Sequence, residues 1–320
     1  MSLLSRVADR IYWGARYVER AEDTARIIRS YSDLIVDLPT EIPVKWEPLV
    51  ALTGNSTSHD VAGDSPRGET EVMRLLLADQ DHFGSIISVL ARARENLRTT
   101  REVLPREAWY TLNGLQQYVA SESERAVARR TRDRYLGRVI DESRRLDGVL
   151  ESTMTRENPY HMWRLGRLLE RADMTTRVVG VRAASILQLQ ALNLPDDYNE
   201  VQWMAALRSV SALQMYQRAT RGPIEGPSVV RFLLYYAPFP RSVLGCLQEM
   251  RTVACQLPER SEVISAIDGA ISALLASEPD TNEGVLLDAA MEAFQQALAE
   301  IGDAIHEHYL SMSTIDGSGR

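Results

Sequence analysis

Residues 16–26 read RYVERAEDTAR, and residues 167–177 read RLLERADMTTR. A shift of 151 positions lays Arg16 on Arg167, Glu19 on Glu170, Arg20 on Arg171, Ala21 on Ala172, Thr24 on Thr175 and Arg26 on Arg177. Glu22 then falls on Asp173, so the charge is kept where the residue is not. Self-similarity at a fixed separation marks a repeated architecture. It predicts two related helices, about 4–38 and 159–192, packed on each other or about a common pseudo-two-fold centre. Each opens one half of a single helical domain, with halves of about 1–155 and 156–311 and a flexible tail at 312–320.

Leu4, Val7, Ile11, Val18 and Ala25 recur at three- and four-residue steps and define an apolar helix face. Glu22 falls inside that face, with Glu19 and Arg26 on its flank, and Glu22 can pair with Arg26 one turn on. The second copy repeats this with Glu170, Asp173 and Arg177 beside Met162, Leu169 and Val179. Charge on an apolar face is costly unless paired. Two buried or half-buried ion clusters are therefore expected. They either set the register of two central helices or form a charged pocket for a ligand.

Helical periodicity continues along the chain, and prolines and glycines punctuate it. Elements are expected at 45–53, 69–79, 85–104, 107–119, 122–154, 241–254, 262–276 and 283–310, with further helices resuming near Glu200 and Ser209. Residues 54–68, rich in Gly, Ser, Thr and Asp, read as a loop. The apolar 228–236 stretch admits a strand through Val229 and Val230 but fits better as a buried helix. Most charges of the 122–154 helix are expected to be solvated. The fold class is all-α, a large helical bundle.

Composition narrows the function. With 45% hydrophobic residues in 320, a substantial core is available. A net charge of −8 without a segregated basic run disfavours nucleic acid as a partner. Lys45 is the only lysine among 36 basic residues, and arginine suits fixed, bidentate ion pairs. No apolar run is long enough to span a bilayer, no signal-peptide core is visible, and Cys246 and Cys255 form no framework, so a cytoplasmic protein with reduced core thiols is expected.

Catalytic signatures are missing. There is no glycine-rich phosphate loop, G-x-S-x-G elbow, H-E-x-x-H or paired C-x-x-C. His306 and His308 lie on different helix faces and read as surface residues. Glu19-x-x-Glu22 and Glu170-x-x-Asp173 raise a two-metal carboxylate site, but neither copy supplies a histidine and each carries its own Arg. No metal and no cofactor are expected. Arg94, Arg98 and Arg101, with Arg16 and Arg167, could instead line a cavity for a carboxylate or phosphate. The other reading of those arginines is an exposed, salt-bridged helix face.

Four stretches carry a resemblance: WGARYVERAEDTAR (13–26), ARENLRTTREVLPREAW (93–109), WRLGRLLERADMTTR (163–177) and FLLYYAPFPRSV (232–243). Together they resemble the alpha-E family, bacterial proteins named for a helical domain with a Glu-Arg motif, over nearly the whole chain. The matching motif residues are Glu19, Arg20, Glu170, Arg171, Arg94, Glu95, Asn96 and Arg241, while Ala237 stands where an acid is expected. The resemblance implies a gene beside, or a chain fused to, a circularly permuted ATP-grasp protein, which joins a carboxylate to an amine through an acyl phosphate. It thus implies a role in peptide synthesis or modification. The leading expectation is a non-catalytic helical partner of an ATP-grasp ligase that presents a peptide or small anionic substrate. The rivals are an enzyme with a Glu/Arg site and a structural bundle that forms homo-oligomers.

Overall fold

The computed structural model describes residues 5–37, 46–52, 68–191, 197–277 and 284–311. Helix α1 spans Ser5–Asp37, α2 Glu47–Leu52, α3 Glu69–Leu77, α4 Ile86–Arg98, α5 Arg106–Ala126 and α6 Arg129–Thr153. The second half runs α7 Asn158–Ala191, α8 Asp197–Ser209, α9 Leu213–Thr220, α10 Gly226–Tyr235, α11 Val243–Ala254, α12 Ser261–Ala276 and α13 Gly284–Ile305. A π-helical turn, His306–Leu310, continues α13. No strand occurs among the described residues, and no described helix is long and apolar enough to cross a membrane.

The repeat extends beyond the two motif helices. Helix α1 closes a ring with α4, α5 and α6, each packed on the next, and α7 closes a like ring with α11, α12 and α13. The two rings meet where α1 packs on α7, the most extensive helix pairing in the molecule. Ile11, Ala15, Val18, Ala21 and Ala25 of α1 and Trp163, Leu165, Ala172 and Val179 of α7 are fully buried, so both central helices are covered on nearly all sides. That explains why their apolar faces carry charge: in a helix surrounded by others, every charged side chain must find a partner inside the protein.

Several boundaries differ from the sequence reading. The expected 85–104 helix ends at Arg98, because Thr99 and Thr100 hydroxyls take the Asn96 carbonyl at 2.9 and 3.2 Å. This side-chain competition leaves only a 3-10 turn at Arg101–Val103. The break expected between 119 and 122 lies instead at Val127–Ala128, where Arg132 Nη2 donates to the Val127 carbonyl at 2.6 Å and Thr131 Oγ1 donates to the Ala128 carbonyl at 3.1 Å. Arg132, expected in solvent, is buried and pairs with Glu69 at 2.8 Å. The 228–236 stretch is helix, with Pro227 in its first turn. Ser85 and Ser242 cap α4 and α11, accepting from the Ser88 and Gly245 amides at 3.1 and 3.0 Å. Cys246 is buried and Cys255 is only partly so. The loop expected at 54–68, apart from Gly68, and the tail at 312–320 lie outside the described residues.

Candidate functional site

The two motif helices run side by side in the same direction, and their motifs exchange partners. Arg16 Nε donates to Glu170 Oε2 at 2.8 Å, and Arg20 Nε donates to the other oxygen of the same carboxylate. Across the pseudo-two-fold, Arg171 donates to Glu19 through Nε at 2.8 Å and Nη2 at 3.1 Å, and Arg167 faces Glu19 through Nε. Each motif glutamate is thus gripped by the two motif arginines of the other helix. Both glutamates have 0% exposure. The i+4 pairs read from the sequence form as well, Glu22 with Arg26 and Asp173 with Arg177, the latter at 2.9 Å.

The two ends of this arrangement are unequal. Around Glu19 a third guanidinium enters: Arg241, from the turn before α11, donates to Glu19 at 2.9 Å, Asp23 at 3.0 Å and Glu22 at 3.2 Å. Arg167 Nη2 also reaches Glu22 at 3.0 Å, and Arg26 holds Glu22, Asp23 and the Ser209 carbonyl, the last at 3.1 Å. Helix α6 closes the outside of the cluster. Its Arg144 donates to Glu22 at 3.3 Å, and its Asp147 accepts from Trp163 Nε1 at 3.2 Å and lies 3.6 Å from Arg167. Around Glu170 the described residues supply only Arg16 and Arg20. Their outer sides, with Asp173 and Arg177, line a cleft of about 410 Å³ between α1, α7, α13 and the π-helical turn. Asp173 and Arg177 are half-buried, which makes this end more open than the first triad.

These contacts decide the protonation states. Burial alone would raise the Glu19 pKa, but Arg167, Arg171 and Arg241 hold it well below the ordinary carboxylate value. Burial opposes ionisation of Glu170 too, and Arg20 and Arg16 overcome it, bringing that group down to about 2. Glu22 is likewise lowered, with Arg26 as the main partner that offsets its burial. A carboxyl group depressed in the folded state stabilises the fold fully above its unfolded pKa, and this stability is lost as pH falls toward the folded value. For Glu170 the window runs from about 4.5 down to about 2. We expect urea midpoints to be flat from pH 7 to pH 5 and to drop steeply below pH 4.5, with the drop reduced in a Glu170→Leu, Arg16→Met, Arg20→Met triple variant. An equal acid slope in that variant would assign the loss to other groups.

Arg94, Arg98 and Arg101 are not brought to Arg16 and Arg167, which corrects the cavity that would have joined them, and Glu95 and Asn96 likewise lie away from both clusters. Helix α4 packs Val89, Leu90, Ala93 and Leu97 inward, so its charged residues face outward. Arg94 donates to Asn113 at 2.8 Å, Arg98 forms an exposed fork with Glu95 at 2.8 Å, and Asn96 accepts from Arg10 at 3.3 Å. Arg94 and Arg101 flank the Trp109 ring, each 5.5 Å from its centroid. Sequence reasoning missed Asp23, Arg144 and Asp147. Asp23 matches Met174 in the second copy, so the repeat hid it, although its i+3 spacing to Arg26 was visible. Nothing local in α6 marks Arg144 or Asp147 out from their charged neighbours. Among the described residues, no group of three His, Cys, Asp or Glu side chains could hold a metal ion.

A sequence model of the Alpha-E family, described as a predicted alpha-helical domain with a conserved ER motif, matches residues 3–310. The chain is also similar to uncharacterised proteins of Mycobacterium bovis and Mycobacterium tuberculosis, each 23% identical over 323 residues. The match covers 94% of this chain but spans only 35% of the length of those relatives. No solved structure matches the chain.

Proposed function

The chain belongs to the Alpha-E family, and from that membership we propose that it is a cytoplasmic, non-catalytic helical partner of an ATP-grasp ligase in peptide synthesis or modification. The observation that carries the non-catalytic part is the saturation of the motif glutamates. A general acid must hold a proton near neutral pH and a general base must be able to take one up. Glu19 and Glu170 are fully buried, each bound by two or more guanidiniums, and depressed well below that range. They hold two helices together and have no capacity left for proton transfer. The partnership follows from the association that the resemblance implies. The length of the mycobacterial relatives supports it, since the matched region there forms about a third of a longer chain.

The test is turnover and complex formation together. We expect the purified protein to be inactive alone on amino acids and peptides, to co-purify with the ATP-grasp protein of the same organism, and to raise that ligase's peptide-bond output. Glu19→Gln should lower the output only as far as it weakens the fold or the complex. Turnover by the isolated protein that Glu19→Gln or Glu170→Gln abolishes, with folding intact, would make it an enzyme in its own right.

A further inference from the structure

The two halves treat the outer side of their ion clusters differently. In the first half, α6 presents a cation and an anion three residues apart. Arg144 donates to Glu22, and Asp147 binds Trp163 and approaches Arg167. The shift of 151 positions maps Glu22 on Asp173, Trp163 on Tyr12 and Arg167 on Arg16. The helix that stands to α7 as α6 stands to α1 is α13. Where α6 closes its side with Arg144 and Asp147, the same shift gives α13 Gln295 and Leu298, which with Ala299 and Gly302 line the 410 Å³ cleft.

Three features mark that cleft as built for a guest. Arg16 and Arg20 engage Glu170 through Nε, while both also line the cleft. The Tyr12 hydroxyl, on a side chain with 1% exposure in the cleft wall, has no hydrogen bond of good geometry, and the Arg16 guanidinium beside it is its polar neighbour. Trp13, under the Arg16 guanidinium at 5.0 Å, joins Leu169, Leu298 and Leu310 in an apolar lining, and a π-helical turn, a form frequent at functional sites, closes one end. The volume suits a small molecule and no folded partner.

We propose that this cleft binds a small zwitterion of amino-acid or dipeptide size, whose carboxylate sits on Arg16 and Arg20 as Asp147 sits on Arg167, and whose ammonium sits on Asp173 as Arg144 sits on Glu22. The Tyr12 hydroxyl can donate to the same carboxylate. Asp303 stands at the exposed rim of the cleft. The apolar lining favours an aliphatic or aromatic side chain over a charged one. Binding needs no ligase, so it is measured on the isolated chain, and its failure leaves the partnership standing.

The experiment is calorimetric titration of the purified protein with four probes: L-leucine, glycyl-L-leucine, N-acetyl-glycyl-L-leucine and glycyl-L-leucinamide. L-leucine or glycyl-L-leucine should bind, and the pair separates the amino-acid from the dipeptide source. The acetylated and amidated probes, each lacking one charge, should bind at least about tenfold more weakly than glycyl-L-leucine. Gly302→Leu should weaken binding at least about tenfold by filling the cleft, since a Cβ there meets Leu169 at an ordinary 3.5 Å and the fold should tolerate it. Ala299→Trp, at an exposed position in the lining, makes the same test should the first variant fail to fold. The proposal is overturned if neither zwitterion binds the folded wild-type protein, if all four probes bind equally, or if a folded filled-cleft variant binds as the wild type does.

Discussion

Glu19→Ala should lower the unfolding free energy by about 3 to 5 kcal/mol, a large share of the roughly 5 to 15 kcal/mol that natural domains possess. The cost arises from what remains behind. Arg167, Arg171 and Arg241 all face the Glu19 carboxylate, and Arg167 is itself buried. With the carboxylate gone, three guanidiniums share Glu22, Asp23 and Asp147, and their mutual repulsion acts where little water can screen it. Glu95→Ala is the contrast, because Glu95 forms an exposed fork with Arg98 and its loss should not move the unfolding midpoint measurably. Asp173→Ala should fall between the two. The repeat alone would give Asp173 the same weight as Glu22, but it is half-buried and its only ion pair among the described residues is with Arg177. Equal urea midpoints for wild type and Glu19→Ala would contradict the buried lock.

The Arg16–Glu170–Arg20 triad separates two meanings of stabilisation. Removing Glu170 alone should be costly for the same reason as removing Glu19. Replacing the whole triad by Met, Leu and Met removes the desolvation of three charges together, so it should cost less than the single change. What such a triad contributes is a unique register. An apolar seam between α1 and α7 would permit a one-turn slip, whereas two glutamates held by four arginines permit one alignment.

Much of this register was legible in the sequence, for a physical reason. A charge placed on an apolar helix face announces a buried partner, and the same pattern in two copies announces two helices that meet. The i+4 pairs Glu22–Arg26 and Asp173–Arg177 follow from helix geometry alone. The exchange of partners was not legible, because Arg16 could equally have paired with its own Glu19 one turn on until the parallel packing of α1 on α7 set it beside Glu170. Nor was the role of α6. Arg144 and Asp147 stand in a run of charged residues whose pattern does not distinguish them, and only tertiary packing selects these two. The α4 arginines misled in the opposite sense. Their density suggested a site, yet Leu90, Ala93 and Leu97 turn them outward. The cleft could not be read at all, since the uncharged α13 residues along it, Gln295, Leu298, Ala299 and Gly302, gain meaning only once that helix is seen packed on α7.

Small residues also set how closely the two central helices approach, and Gly166 makes this measurable. A Cβ built on Gly166 would press into the Tyr12 carbonyl oxygen and lie 3.0 Å from the Ala15 Cβ. Ala15 is the residue that the 151-position shift lays on Gly166, so both copies are small where the helices cross. Two effects oppose each other in Gly166→Ala. Helix propensity favours Ala by about 1 kcal/mol. Overpacking against a backbone atom, which cannot rotate away, costs about 1 to 3 kcal/mol or more. The steric term should win, and Gly166→Leu should lose at least about 3 kcal/mol, because α1 and α7 must separate and the ion pairs across them lengthen. Gly148 provides the internal control. It lies in α6, and a Cβ there meets nothing within 4 Å. Gly148→Ala should therefore stabilise the protein by up to about 1 kcal/mol. One chemical change is thus expected to act with opposite signs at the two positions, read as opposite shifts in the urea midpoint. A stabilised or unchanged Gly166→Ala would mean that the α1–α7 crossing is looser than its ion pairs require.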